Sequence, residues 1–172
     1  MAGPAAHLSA LLPLSSADVA AEADEWIELH SGVNQVVDLG GWVLDDAAEG
    51  SAPYVIPAGT TVGPGGFVVF CRRQSGLILN NDGDDVRLFA PDGALLDWTT
   101  YDTAEYDVSW SRTVDGGGEW TGAYPPSPGG PNQPATPTAT STVTPTSWQI
   151  LRLTSSLSPV RTFKLTPYSR KD

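Results

Sequence analysis

The segment from Asp24 to Asp46, DEWIELHSGVNQVVDLGGWVLDD, constrains the fold more than any other stretch of the chain. Two short apolar runs flank a polar turn. In the first, Ile27 and Leu29 fall on one face while Trp26 and Glu28 fall on the other, the period-two alternation of a half-buried strand. Ser31-Gly32-Val33-Asn34-Gln35 has turn chemistry. Val36 and Val37 then open a second extended run that passes through a Leu39-Gly40-Gly41-Trp42 corner to Val43 and Leu44.

The pattern continues downstream as short runs bounded by turn residues. Tyr54-Val55-Ile56 is stopped by Pro57-Ala58-Gly59, and Gly63-Pro64-Gly65-Gly66 precedes Phe67 to Arg72, the most hydrophobic run, with Cys71 as a small buried thiol inside it. Near-continuous apolar character predicts a central strand covered on both sides. Asp85 to Phe89 alternates again, Pro91-Asp92-Gly93 is a hairpin turn, and Leu95 to Tyr101 returns. Ser109 to Thr113 and Glu119 to Thr121 flank an Asp115 to Gly118 loop. Gly 18 and Pro 15, without a long helical apolar period, agree with an all-β chain. Seven or more short strands in about 115 residues fit a two-sheet β-sandwich. The polar segment Ser16 to Glu25 reads as a loop. The expected core is Ile27, Leu29, Leu39, Trp42, Leu44, Phe67, Val69, Val86, Leu88 and Leu96.

Five segments in this order resemble the lamin-tail domain family: Glu25-Trp26-Ile27-Glu28-Leu29, Val37 to Leu44 with its Gly-Gly-Trp, Ile56 to Phe70 with its Ile-Pro and Gly-Gly, Asn80 to Leu88, and Ser109-Trp110-Ser111-Arg112. The resemblance implies an immunoglobulin-like fold over residues 1–132 and a first, edge strand at His7 to Leu12, where an export leader is the competing reading. No Lys or Arg precedes the apolar part of residues 1–25, as a secretory leader normally requires. It also implies a non-catalytic binding or scaffolding module, in bacteria often beside nucleases or other secreted enzymes.

Charge narrows the partners. Residues 1–146 hold nineteen acids against four bases, leaving −15, whereas the last 26 residues carry five bases and one acid. An acidic sandwich repels phosphate backbones, so nucleic acid is an unlikely partner; a protein or a cell-surface polymer suits it better. Residues 133–147 form a Thr/Pro-rich segment with Thr at each even position from 136 to 146, a composition that stays extended and serves as a plain or O-glycosylated stalk. Residues 148–172 are expected to be a disordered basic tail. The stalk speaks for an exported, extracellular or surface protein. No apolar run approaches the roughly 20 residues of a membrane helix, and one cysteine excludes an intrachain disulfide.

Catalytic signatures are missing: the sequence has no HExxH, P-loop, GxSxG or paired CxxC. His7 and His30 lack metal-pair spacing. Asn80, Asp82 and Asp84 at alternate positions, with Asp85 adjacent, supply hard oxygen ligands that suit calcium, although a hairpin turn needs the same residues. Trp98, Tyr101 and Tyr106 lie among Asp97, Asp102, Glu105 and Asp107, a mixture that can stack on sugar rings and accept hydroxyl hydrogen bonds. The expectation is therefore a non-enzymatic attachment or protein-contact module without a cofactor. The alternatives are a calcium-assisted carbohydrate-binding module and an accessory domain of a secreted nuclease or other hydrolase.

Overall fold

A computed structural model describes residues 4–12 and 25–136. The described residues all belong to one unit, Met1–Pro137, and the division of the chain puts Thr138–Asp172 in a second. The second lies outside the described residues. So do the expectations for a loop before Glu25, for the later part of the Thr/Pro segment and for the basic tail.

The regular secondary structure of the described residues is almost all strand. In order, β1 is Ala6–Leu12, β2 Trp26–Ser31, β3 Val37–Asp38, β4 Val43–Asp45, β5 Tyr54–Val55, β6 Thr61–Val62, β7 Phe67–Cys71, β8 Asp84–Phe89, β9 Leu95–Tyr101, β10 Ser109–Val114 and β11 Gly117–Tyr124. A single helical turn, α1 (Arg72–Ser75), follows β7 and is closed by Gly76 in the left-handed conformation. A five-stranded sheet runs β11-β10-β1-β2-β7, a four-stranded sheet runs β5-β4-β8-β9, and β3 pairs with β6. The two larger sheets form an immunoglobulin-like sandwich. Leu8, Leu11, Ile27, Leu29 and Phe70 from one meet Leu44, Val86, Leu88 and Tyr101 from the other in a single core.

The Gly-Gly-Trp corner is a sharp backbone turn. Gly41 takes a φ of 81° and donates to the Ile56 carbonyl at 2.9 Å, while Trp42 N–H returns to Leu39 at 3.0 Å. A Cβ on Gly40 would lie 3.0 Å from both the Ala58 Cα and Asp38 Oδ1, so any side chain there would press against the neighbouring backbone at Ala58.

Three expectations about placement are corrected. β1 is central rather than an edge strand, because it pairs with β2 on one side and with β10 on the other. β7 is an edge strand rather than a central one. Its apolar character on both faces has a different cause: the outer face of the five-stranded sheet carries a second apolar cluster of Ala10, Leu12 and Trp26, against which Val69 and a partly exposed Cys71 pack. The inward residues of β7 are Val68 and Phe70, paired with Leu29 and Ile27, so Phe67 and Val69 face outward. Of the remaining expected core, Ile27, Leu29, Leu39, Leu44, Val86 and Leu88 are buried, and Trp42 and Leu96 pack against the core while partly exposed.

Candidate binding face

Strand register decides what the two sheets present to their surroundings. β8 alternates strictly, with Asp84, Val86 and Leu88 buried and Asp85, Arg87 and Phe89 on the other face. Directly opposite residues in neighbouring antiparallel strands share a face. Val55 pairs with Val43, Val43 with Phe89, and Phe89 with Leu95. These four apolar side chains therefore form one row across the whole four-stranded sheet, on the side away from the core. Val55 is 59% exposed and Leu95 51%. The next outward row is Asp45, Arg87 and Trp98, and the third is Asp85 and Thr100.

Arg87 is held flat against this face. Its Nη2 donates to Asp45 Oδ2 at 3.0 Å and, in a short contact, to the Asp46 carbonyl. Partial burial pushes the Asp45 carboxyl up from its ordinary value, and the Arg87 charge opposes that shift. With its guanidinium so engaged, Arg87 leaves the neighbouring Trp98 ring uncovered, and Trp98 is 56% exposed. At the far end of the face an open cleft of about 320 Å³ is lined by Asp82, Asp84, Asp85, Asp102 and Tyr101, among others. The face thus grades from an apolar row to an acidic end along β8.

The residues that the sequence grouped for calcium lie together at the acidic end of this face but differ in burial and in partners. Asp84 is buried, and its carboxylate accepts N–H groups from Ala47 (3.1 Å), Asp85 (2.8 Å) and Asn80, whose backbone and side chain each donate at 3.0 Å. The Asn80 side chain thus serves Asp84 as a donor. Asp82 is exposed and Asp85 half-buried. No group of three or more His, Cys, Asp or Glu among the described residues gathers where it could hold a metal ion.

The three aromatics part in the same way. Tyr101 is a core residue, 3% exposed, whose hydroxyl donates to the Asn80 carbonyl at 2.7 Å. Burial first, and then the nearby Asp84, raises its pKa. Trp98 stands on the outer face and Tyr106 is exposed in the loop between β9 and β10. The apolar row was visible in the sequence only as isolated hydrophobic residues. Its signal was the alternation within β4, β5, β8 and β9, which shows a shared face once the register is known.

Residues 11–103, more than half of the chain, match the family model of the Lamin Tail Domain. The chain belongs to the lamin-tail domain family. No curated protein matches it. The family match covers β2 to β9 and the last two residues of β1, and so includes the whole four-stranded sheet of this lamin-tail domain with its exposed face. The closing strands β10 and β11 lie beyond it. Among the described residues no helix is long and apolar enough to cross a membrane.

Proposed function

We propose that this lamin-tail domain is a non-catalytic binding module of an exported or surface protein, and that it docks a protein partner on the outer face of the β5-β4-β8-β9 sheet. The carrying observation is the row Val55, Val43, Phe89 and Leu95, in register across all four strands with Trp98 beside it. Single exposed apolar residues are ordinary, whereas a contiguous patch rimmed by polar groups is characteristic of interaction surfaces. The acidic cleft at the other end of the face, with the strongly acidic composition, favours a partner segment that carries Lys or Arg beside its apolar anchors. From Phe89 to Asp85 is four residues of strand, about 13 Å, and this sets the spacing between anchor and basic group. The Thr/Pro composition of residues 134–146 supports the exported setting.

Panning a random peptide library on the full chain tests the reading. Enriched peptides should combine apolar and basic residues, and a Leu95→Ser/Trp98→Ser double variant should lose them more than tenfold. Failure to enrich any sequence, or equal binding by the double variant, would overturn it. One observation favours a second reading, a carbohydrate-binding face: Trp98 offers an open ring of the kind that stacks on sugars. Retention of glycans that depends on Trp98, with no peptide enrichment, would select it.

A further inference from the structure

The outer face of the five-stranded sheet is built differently. After β11 the chain turns back as residues 125–132, Pro-Pro-Ser-Pro-Gly-Gly-Pro-Asn, and reaches β1 and β2. The Gly129 N–H donates to Glu28 Oε2 at 2.6 Å. The Asn132 side-chain amide donates to the Ser9 carbonyl at 3.0 Å and to the Ser9 hydroxyl at 3.2 Å. The Asn132 backbone N–H donates to Asp115 Oδ1 at 2.9 Å, tying the same segment to the β10–β11 turn. Ser9 is the extra residue of the β-bulge between Leu8 and Ala10, and its side chain also hydrogen-bonds Glu28.

Glu28 is fully buried in the middle of this arrangement. Its Oε1 has no hydrogen-bond partner, and neither does Asn132 Oδ1. A buried carboxylate with one oxygen unpaired is costly, whereas the neutral acid is far cheaper to bury and brings an O–H to a cluster with an unserved acceptor. The charged group that bears on Glu28 is Asp115, which repels its anion. The other ionisable side chains nearby are His30, two residues along β2, His7 opposite it on β1, and Cys71 on the adjacent β7. None of these faces Glu28 as a fixed positive charge: His30 is held below its ordinary pKa by burial.

We propose that residues 125–132 form a proton-locked clasp: neutral Glu28 holds the segment against β1 and β2, and ionisation of Glu28 releases it. The proton resides on the carboxyl group while the clasp is closed and passes to water as the segment lifts and Glu28 becomes hydrated. The clasp acts where the chain leaves the sandwich, so its opening lengthens the exit segment by up to eight residues and uncovers the Glu28–Ser9 region of the sheet. The binding face on the opposite sheet is not involved, and the two proposals stand or fall separately.

Amide exchange measured by NMR on the full chain tests the clasp, with the intrinsic pH dependence of exchange divided out. Burial raises the Glu28 pKa from 4.5 to about 7. Opening read at Gly129 and Asn132 should therefore increase about tenfold per pH unit between 4.5 and 7 and then level off. Glu28→Gln, a fixed neutral analogue, should keep both amides slow at every pH. Asn132→Ala should speed Gly129 exchange throughout while leaving the slope in place. The Ile56 amide, bonded to the Trp42 carbonyl at 2.8 Å, is the reference and should stay slower than both clasp amides at every pH, since it opens only with the sandwich. A flat wild-type profile, an unchanged slope in Glu28→Gln, or Ile56 opening as often as Gly129 and Asn132 would overturn the proposal. Opening toward acid would do so too, since that is the sign of His30 protonation. The wild-type profile decides alone should the Gln variant fail to fold.

Discussion

Arg112 on β10 donates from Nη2 to both carboxylate oxygens of Asp97 on β9, at 2.8 and 2.9 Å, and so ties the two sheets together. The pair also repairs a defect in β1. The bulge after Leu8 takes that residue out of the ladder with β10, whose paired positions begin at Ala10. Asp97 Oδ2 accepts the Leu8 N–H at 3.0 Å, and Arg112 Nε donates to the Leu8 carbonyl at 2.9 Å. The guanidinium finishes against the Gly118 carbonyl and over the Trp120 ring, 4.7 Å from its centroid.

Removing one partner of this pair should be severe. Asp97→Ala strands a mostly buried guanidinium and the Leu8 N–H, and is expected to cost about 3 kcal/mol in urea unfolding. Adding Arg112→Met to that variant should recover part of the loss, because the second change removes the unpaired charge.

Core and face should respond oppositely to truncation. Leu88 is fully buried between the sheets, and Leu88→Ala is expected to cost roughly 2–5 kcal/mol. Leu95→Ser and Trp98→Ser, on the exposed side of the same sheet, should stay within about 0.5 kcal/mol of the parent. Denaturant midpoints on the three variants check this, and a large loss for Leu95→Ser would place that side chain in the core.

Stability should fall as pH rises toward neutrality. Glu28 is harder to ionise folded than unfolded, so its contribution is fully present below about pH 4.5 and is lost between 4.5 and about 7. The shift corresponds to about 3 kcal/mol. Glu28→Gln should therefore be the more stable protein at pH 7.5, and the difference should shrink at pH 5. Thermal melts at the two pH values read the crossing directly.

The Asp84 carboxylate is expected to act as a loop clamp. With four N–H donors already on it, Asp84→Ala should cost about 1–3 kcal/mol by leaving buried donors unpaired. Millimolar calcium should leave the parent's melting temperature unchanged. A rise of several degrees that Asp82→Asn abolishes would instead make the exposed end of this loop a calcium site.

Local alternation carried much of the fold. Ile27 and Leu29 against Trp26 and Glu28, or Val86 and Leu88 against Arg87, show their faces without any knowledge of neighbours, and the ordered motifs from Glu25 to Leu88 lie within the family match. Sheet position was not legible in the same way. β1 and β7 each look apolar on both sides, and only the second cluster around Trp26 explains why an edge strand does so. The proposed binding face was harder still, because Val55, Val43, Phe89 and Leu95 lie far apart in sequence and become neighbours through register alone. Glu28 looked like an ordinary solvent-facing residue; nothing in the alternation signals that residues 125–132 return to cover it.

The central place of β1 has a consequence for how the chain is made. Ala10 is paired with Ser111, and Arg112 reaches Leu8 across 104 residues, so β1 is made well before β10, one of its two lateral partners. Until then β1 has one open side, and closing so long a loop must precede the gain from pairing. β1 therefore gains its second neighbour only after translation of β10, by the joining of the two ends of the domain, and β11 then completes the five-stranded sheet from β10.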